Sequence, residues 1–92
     1  MSELNRVLPE LSDRAGLPRE LLPGVPVIEL KGDRAVMIES HRGIGAYSEE
    51  RITVLCRKNT VTVEGIGLQL HQMDRSRIVI TGTIRAVLLE RN

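Results

Sequence analysis

Between Arg51 and Glu90 the chain alternates apolar and polar residues in short runs: Ile52/Val54/Cys56, Val61/Val63, Leu68/Leu70, Ile78/Ile80 and Ile84/Ala86/Leu88. A period of two sends successive side chains to opposite faces, so each run reads as a half-buried strand. Turn-forming residues separate the runs: Lys58-Asn59, Gly65-Ile66-Gly67, Asp74-Arg75-Ser76 and Gly82. Five runs within forty residues, with such short connections, predict a meander of neighbouring antiparallel strands.

The same pattern extends upstream. Residues 27–31 read as a strand, Gly32-Asp33 turns the chain, and residues 34–39 return. Val36 and Ile38 share one face of that return strand and Ala35 and Met37 the other, so it is expected in the middle of the sheet. Residues 40–48 are the least regular, and Gly43 with Gly45 suggests a bulge. Gly32, Gly43, Gly65 and Gly82 each stand at the end of an expected strand and are read as structural turns. The predicted fold is mainly β, a small antiparallel sandwich or roll of about seven to eight short strands with a short N-terminal helical segment. Val-Thr-Val-Glu-Gly at 61–65 is echoed by Ile-Val-Ile-Thr-Gly at 78–82, which raises a β-solenoid-like stack as the alternative. The glycine spacings of 11, 22 and 17 are too uneven for strict rungs and favour the roll. The last strand carries Ile84, Ala86 and Leu88 on one face and Val87 and Leu89 on the other. It therefore needs cover on both sides, from the N-terminal segment, a second copy, a different protein or a closed barrel.

Residues 1–24 form a separate segment ahead of a β domain at 25–92. Leu4, Val7, Leu8, Leu11 and Ala15 fall at helical spacing, and Pro9 and Gly16 divide the pattern into short pieces. The segment reads either as a lid placing Leu11, Leu17, Leu21 and Leu22 on the sheet or as a docking element for a partner or a membrane surface. Its mixed Glu, Asp and Arg face suits anionic lipid poorly.

Composition narrows the picture. With no Trp, no Phe and one Tyr in 92 residues, the core has to be aliphatic. Aromatic rings bring the largest burial per residue, and a short chain buries a small fraction of its surface, so self-association or a partner is expected to help. The net charge is +1, and eleven of the thirteen bases are Arg, interspersed with acids. No basic stripe is evident and Tyr47 is the sole ring for stacking, which argues against nucleic acid. The single Cys56 rules out an internal disulfide and fits a reducing compartment. No run is long and apolar enough for a transmembrane helix.

Candidate chemistry is sparse. His41, His71 and Cys56 lack the close spacing of a metal site, so no metal or other cofactor is expected. A Cys56–His41 nucleophilic pair is conceivable, but Cys56 shares the face of Ile52 and Val54 and reads as a small buried hydrophobe. Gly43-Ile44-Gly45 is too short for a dinucleotide loop. No catalytic residue is assigned. The best surface candidate is a partner contact formed by Glu39, His41, Arg42 and Tyr47, with Arg42 as a fork donor to a carboxylate and Tyr47 as an anchor. The alternative is a structural corner in which Arg42 pairs with Glu39.

The ordered set Leu17-Pro18, Pro26-x-Ile28, Gly32, Ile38-Glu39-Ser40-His41-Arg42-Gly43-Ile44, Tyr47-Ser48 and Arg51-Ile52 resembles the YabP/YqfC family of sporulation proteins. So does the ending, Val63-x-Gly65, Leu68, Met73, Ile78-x-Ile80-x-Gly82-x-Ile84 and Val87, and the leading Leu-Pro places the resemblance nearer the YqfC branch. The family usually carries Asn where this chain has Ser40; a left-handed backbone there would suit Ser less well. The resemblance implies a non-enzymatic protein of endospore-forming bacteria, made in the mother cell, cytoplasmic or peripheral at the forespore membrane. It implies as partner a YqfD-like membrane protein, a homo-oligomer, or both. The leading expectation is a structural or adaptor component of sporulation. The alternative is a small-ligand or carbohydrate-binding β domain with a pocket lined by His41, Arg42 and Tyr47.

Overall fold

The computed structural model describes residues 25–92, and every regular element within them is a strand. The expected helical pieces of residues 1–24 and the segment boundary before residue 25 lie outside the described residues. The strands are β1 (Val27–Lys31), β2 (Ala35–Glu39), β3 (His41–Tyr47), β4 (Arg51–Cys56), β5 (Asn59–Met73) and β6 (Arg77–Arg91). They form one open antiparallel sheet in the order β1-β2-β6-β5-β4-β3. The meander from β3 to β6 therefore holds, and the β1–β2 hairpin adds to its last strand. β2 lies between β1 and β6, inside the sheet. Antiparallel pairing throughout is incompatible with a stack of parallel rungs.

The strand number differs from expectation, and the reason lies at the glycines. Gly65-Ile66-Gly67 and Gly82 do not end strands. They lie inside β5 and β6, each fifteen residues long and paired along nearly their whole length. Four expected short strands are thus two long ones, and six strands replace seven or eight. Extra residues are absorbed as bulges. Arg85 has no opposite number between the pairs Glu64/Ala86 and Gly65/Ile84, and His71 has none between Leu70/Ile80 and Gln72/Val79. A bulge bends its strand and resets which face follows. That is why Ile84 and Val87, three apart, both pack against the core.

The β5–β6 hairpin carries a different partner on each half. Arg77–Thr81 of β6 pairs with β2, and Thr60–Glu64 of β5 pairs with β4. The two halves share a single aliphatic core of Val36, Ile38, Ile52, Val54, Cys56, Val61, Val63, Leu68, Ile78 and Ile80. Where the hairpin bends, its backbone groups turn to the flanking turns. Gly65 and Leu68 donate to the Glu50 and Glu49 carbonyls at 3.0 and 2.7 Å, and Gly82 and Ile84 to the Arg34 and Asp33 carbonyls at 3.2 and 2.7 Å. The close approach needs glycine. A β-carbon on Gly65 would overlap the Thr83 carbonyl oxygen, and one on Gly82, whose φ is +137°, would sit 2.8 Å from the Gly67 oxygen.

Gly65→Ala is expected to destabilise the domain by about 2–3 kcal/mol, as overpacking against backbone does. Gly67→Ala, at φ +62° with open space around it, should cost only the left-handed strain of about 1–2 kcal/mol. Urea denaturation of the two variants checks the ranking, and equal losses would contradict a contact-limited bend.

Candidate functional site

Ser40 alone separates β2 from β3. Its φ is +71°, the only positive value at a non-glycine among the described residues. β2 pairs in one half of the sheet and β3 in the other, so the chain turns sharply at this point. The Ser40 N–H donates to the Ser76 carbonyl at 2.7 Å, which docks the kink on the tip of the β5–β6 hairpin. The tip is ordered by Asp74, whose Oδ1 accepts from the Ser76 and Arg77 N–H groups at 2.9 and 2.8 Å. Those backbone N–H groups hold the Asp74 carboxyl below its ordinary value.

His41, the first residue of β3, is 8% exposed. Its Nε2 lies 2.8 Å from the Asp74 carbonyl oxygen. A carbonyl only accepts, so Nε2 carries the proton, and Nδ1 is left buried with no partner. Arg42 is the extra residue of a bulge between the pairs His41/Cys56 and Gly43/Leu55, with Gly43 at φ +135°. The bulge turns the Arg42 side chain to solvent. There Ser40, His41, Arg42, Arg57, Arg75 and Ser76 line an open depression of about 450 Å³. Arg57 follows the Cys56 that pairs with His41, and Arg75 is carried on the tip.

The structure brings together only part of the expected contact. His41 and Arg42 share the depression. Glu39 is turned to the next strand, where its carboxylate accepts from Arg77 at 2.9 Å. The expected Arg42–Glu39 pair is therefore replaced by Arg77–Glu39, a directly opposed position on β2 and β6, and this hydrogen bond raises the Arg77 pKa. Tyr47 ends β3, six extended residues from His41, roughly 20 Å along the strand. It is 53% exposed, and its hydroxyl accepts the Leu70 N–H at 3.3 Å. No depression described joins it to His41 and Arg42, so a sugar pocket with Tyr47 as its stacking ring is not formed there. Of the four glycines read as turns, Gly32 lies in the β1–β2 turn at φ +56°, whereas Gly43, Gly65 and Gly82 lie inside strands. Arg57 and Arg75 escaped the sequence reading. Only the pairing of β3 with β4 and the docking of the tip make them neighbours of Arg42.

Cys56 stands directly opposite His41, as a nucleophilic pair requires. Its burial pushes the thiol pKa up, away from the reactive thiolate, and the His41 proton is committed to Asp74. Among the described residues no three of His, Cys, Asp and Glu gather where a metal could bind. No helix among them is long and apolar enough to cross a membrane.

A thin, aliphatic antiparallel sheet with an arginine-lined corner defines a small β domain. The family model for the YabP family matches residues 25–92, and the chain belongs to that family. It is similar to "Uncharacterized protein YqfC" of Bacillus subtilis (strain 168), with 24% identity over 83 residues, covering 90% of this chain and 89% of that protein. No solved structure matches.

Two expectations follow for the corner. Ser40→Asn should stabilise the domain by about 0.5–1 kcal/mol, because Asn tolerates the left-handed region better than Ser. Thermal melting checks the sign. Asp74→Asn should lower the melting temperature near neutral pH. The folded Asp74 pKa is depressed, so its stabilisation is fully present above the ordinary aspartate range of about 4 and is lost as pH falls through the lower folded value. The gap between wild type and Asp74→Asn should therefore narrow in acid, and a gap independent of pH would contradict the Asp74 assignment.

Proposed function

We propose that this chain is a non-enzymatic sporulation protein that acts as an adaptor, by associating with itself or with a YqfD-like membrane protein. The sporulation context rests on family membership, and the working site is the mother-cell cytoplasm or the forespore membrane surface. The observation that carries the adaptor reading is the last strand. Leu88 and Leu89 are 43% and 56% exposed, and neighbours on a strand point to opposite faces. Val25, Val27 and Leu30 add exposed apolar side chains on and beside the edge strand β1. Unpaired edges and exposed aliphatic groups of this kind favour contact with another chain. A ten-residue aliphatic core without rings gives such contact a stabilising role as well.

Size-exclusion chromatography with light scattering, alone and with the soluble domain of the YqfD-like protein, tests the reading. An oligomer or a complex is expected, and Leu88→Glu with Leu89→Glu should dissolve it while leaving the circular dichroism unchanged. A monomer that binds nothing would contradict it.

A further inference from the structure

The depression at the β2–β3 corner concentrates positive charge without neutralising it. Arg42, Arg57 and Arg75 are exposed, and among the described residues none of them makes an ion pair. Three other bases are matched, Lys31 at 3.7 Å from Glu29, Arg51 at 3.7 Å from Glu64 and Arg77 at 2.9 Å from Glu39, and the corner is set apart by three unmatched guanidinium groups lining one depression. Arg57 also lines a second depression together with Lys58 and Arg91, which extends the basic surface into a track. The carboxylates at this end are engaged elsewhere, Asp74 by the backbone of its own turn and Glu39 by Arg77. Beside these donors His41 keeps a buried Nδ1 with no partner among the described residues.

We propose that this corner is a docking site for an extended acidic polypeptide segment of a partner protein, whose carboxylates are held by Arg42, Arg57 and Arg75. The proposal rests on the adaptor reading above and names the chemistry of its partner. Three guanidinium forks match carboxylates in geometry and charge. The open depression and its continuation past Arg57 fit a chain laid across the surface better than an enclosed small molecule. His41 is a positioning residue here, since its bond to Asp74 holds the arginine on β3 beside the arginine on the hairpin tip.

Fluorescence anisotropy with a labelled polyglutamate peptide tests the site on the full chain. Removing a charge-assisted hydrogen bond typically forfeits about 1.5–3 kcal/mol, so Arg42→Ala and Arg75→Ala should each weaken binding by about tenfold or more. Arg42→Lys, which keeps charge and stem but loses the fork, should fall between. Arg85→Ala, at the opposite end beside Glu50 and Glu64, should change affinity by less than about twofold. Equal weakening by Arg85→Ala would reduce the effect to net charge and overturn the proposal. Binding to phosphatidylglycerol–cardiolipin vesicles without binding to the peptide, or displacement of the peptide by equimolar inorganic phosphate, would overturn it as well. If the Arg42 and Arg75 variants bind the peptide as the wild type does, this site fails, while the adaptor reading, which rests on Leu88 and Leu89, stands.

Discussion

The contact on which the fold depends is the approach of Gly65 to the Thr83 carbonyl at the middle of the β5–β6 hairpin. Any side chain at Gly65 would push the two strands apart where they bend. With the bend in place, the Gly65, Leu68, Gly82 and Ile84 N–H groups lose a simple ladder and find carbonyls in the β1–β2 and β3–β4 turns. Each turn thereby anchors its own hairpin to one side of the bend. The result is a single sheet whose two halves bury one set of aliphatic side chains. A flat hairpin of the same sequence would leave those side chains on an open face.

The corner follows from the same geometry. The bend carries the far tip of the hairpin to the place where β2 hands over to β3. Ser40 takes a left-handed conformation to make that handover, and its N–H is satisfied by the tip. His41 adds a second tie to Asp74, and the bulge at Arg42 aims that arginine outward. Strain at Ser40, an unpaired ring nitrogen and three unmatched guanidinium groups thus occupy one small region. Local sequence and global fold usually agree, and departures collect where a protein meets something else.

Much of the β region was legible from alternation alone. Val36, Ile38, Ile52, Val54, Val61, Val63, Ile78 and Ile80 announce the core face, and all are buried. The meander and the interior place of β2 follow from short connections and two apolar faces. The length of β5 and β6 was not legible, because glycine marks a strand end and a strand bend with the same letter. What separates them is the Thr83 carbonyl, which belongs to another strand. The phase of the last strand was misread for a related reason: the bulge at Arg85 shifts Val87 to the core side, which simple alternation cannot anticipate. The candidate site was half legible. His41 and Arg42 are adjacent in sequence, but Arg57 and Arg75 reach them only through the fold, and Tyr47 is carried away along the strand.

The central claim is that the bend fuses both halves of the sheet into one cooperative unit. Residue-resolved amide hydrogen exchange across a denaturant series tests it most directly. The account predicts that Val36, Ile38, Ile78 and Ile80 of one half exchange through the same global opening as Val54, Val61 and Val63 of the other, with one free energy and one denaturant slope. If the half containing β1, β2 and the start of β6 opens separately, at a clearly lower free energy, the bend does not unite the fold and the account is wrong.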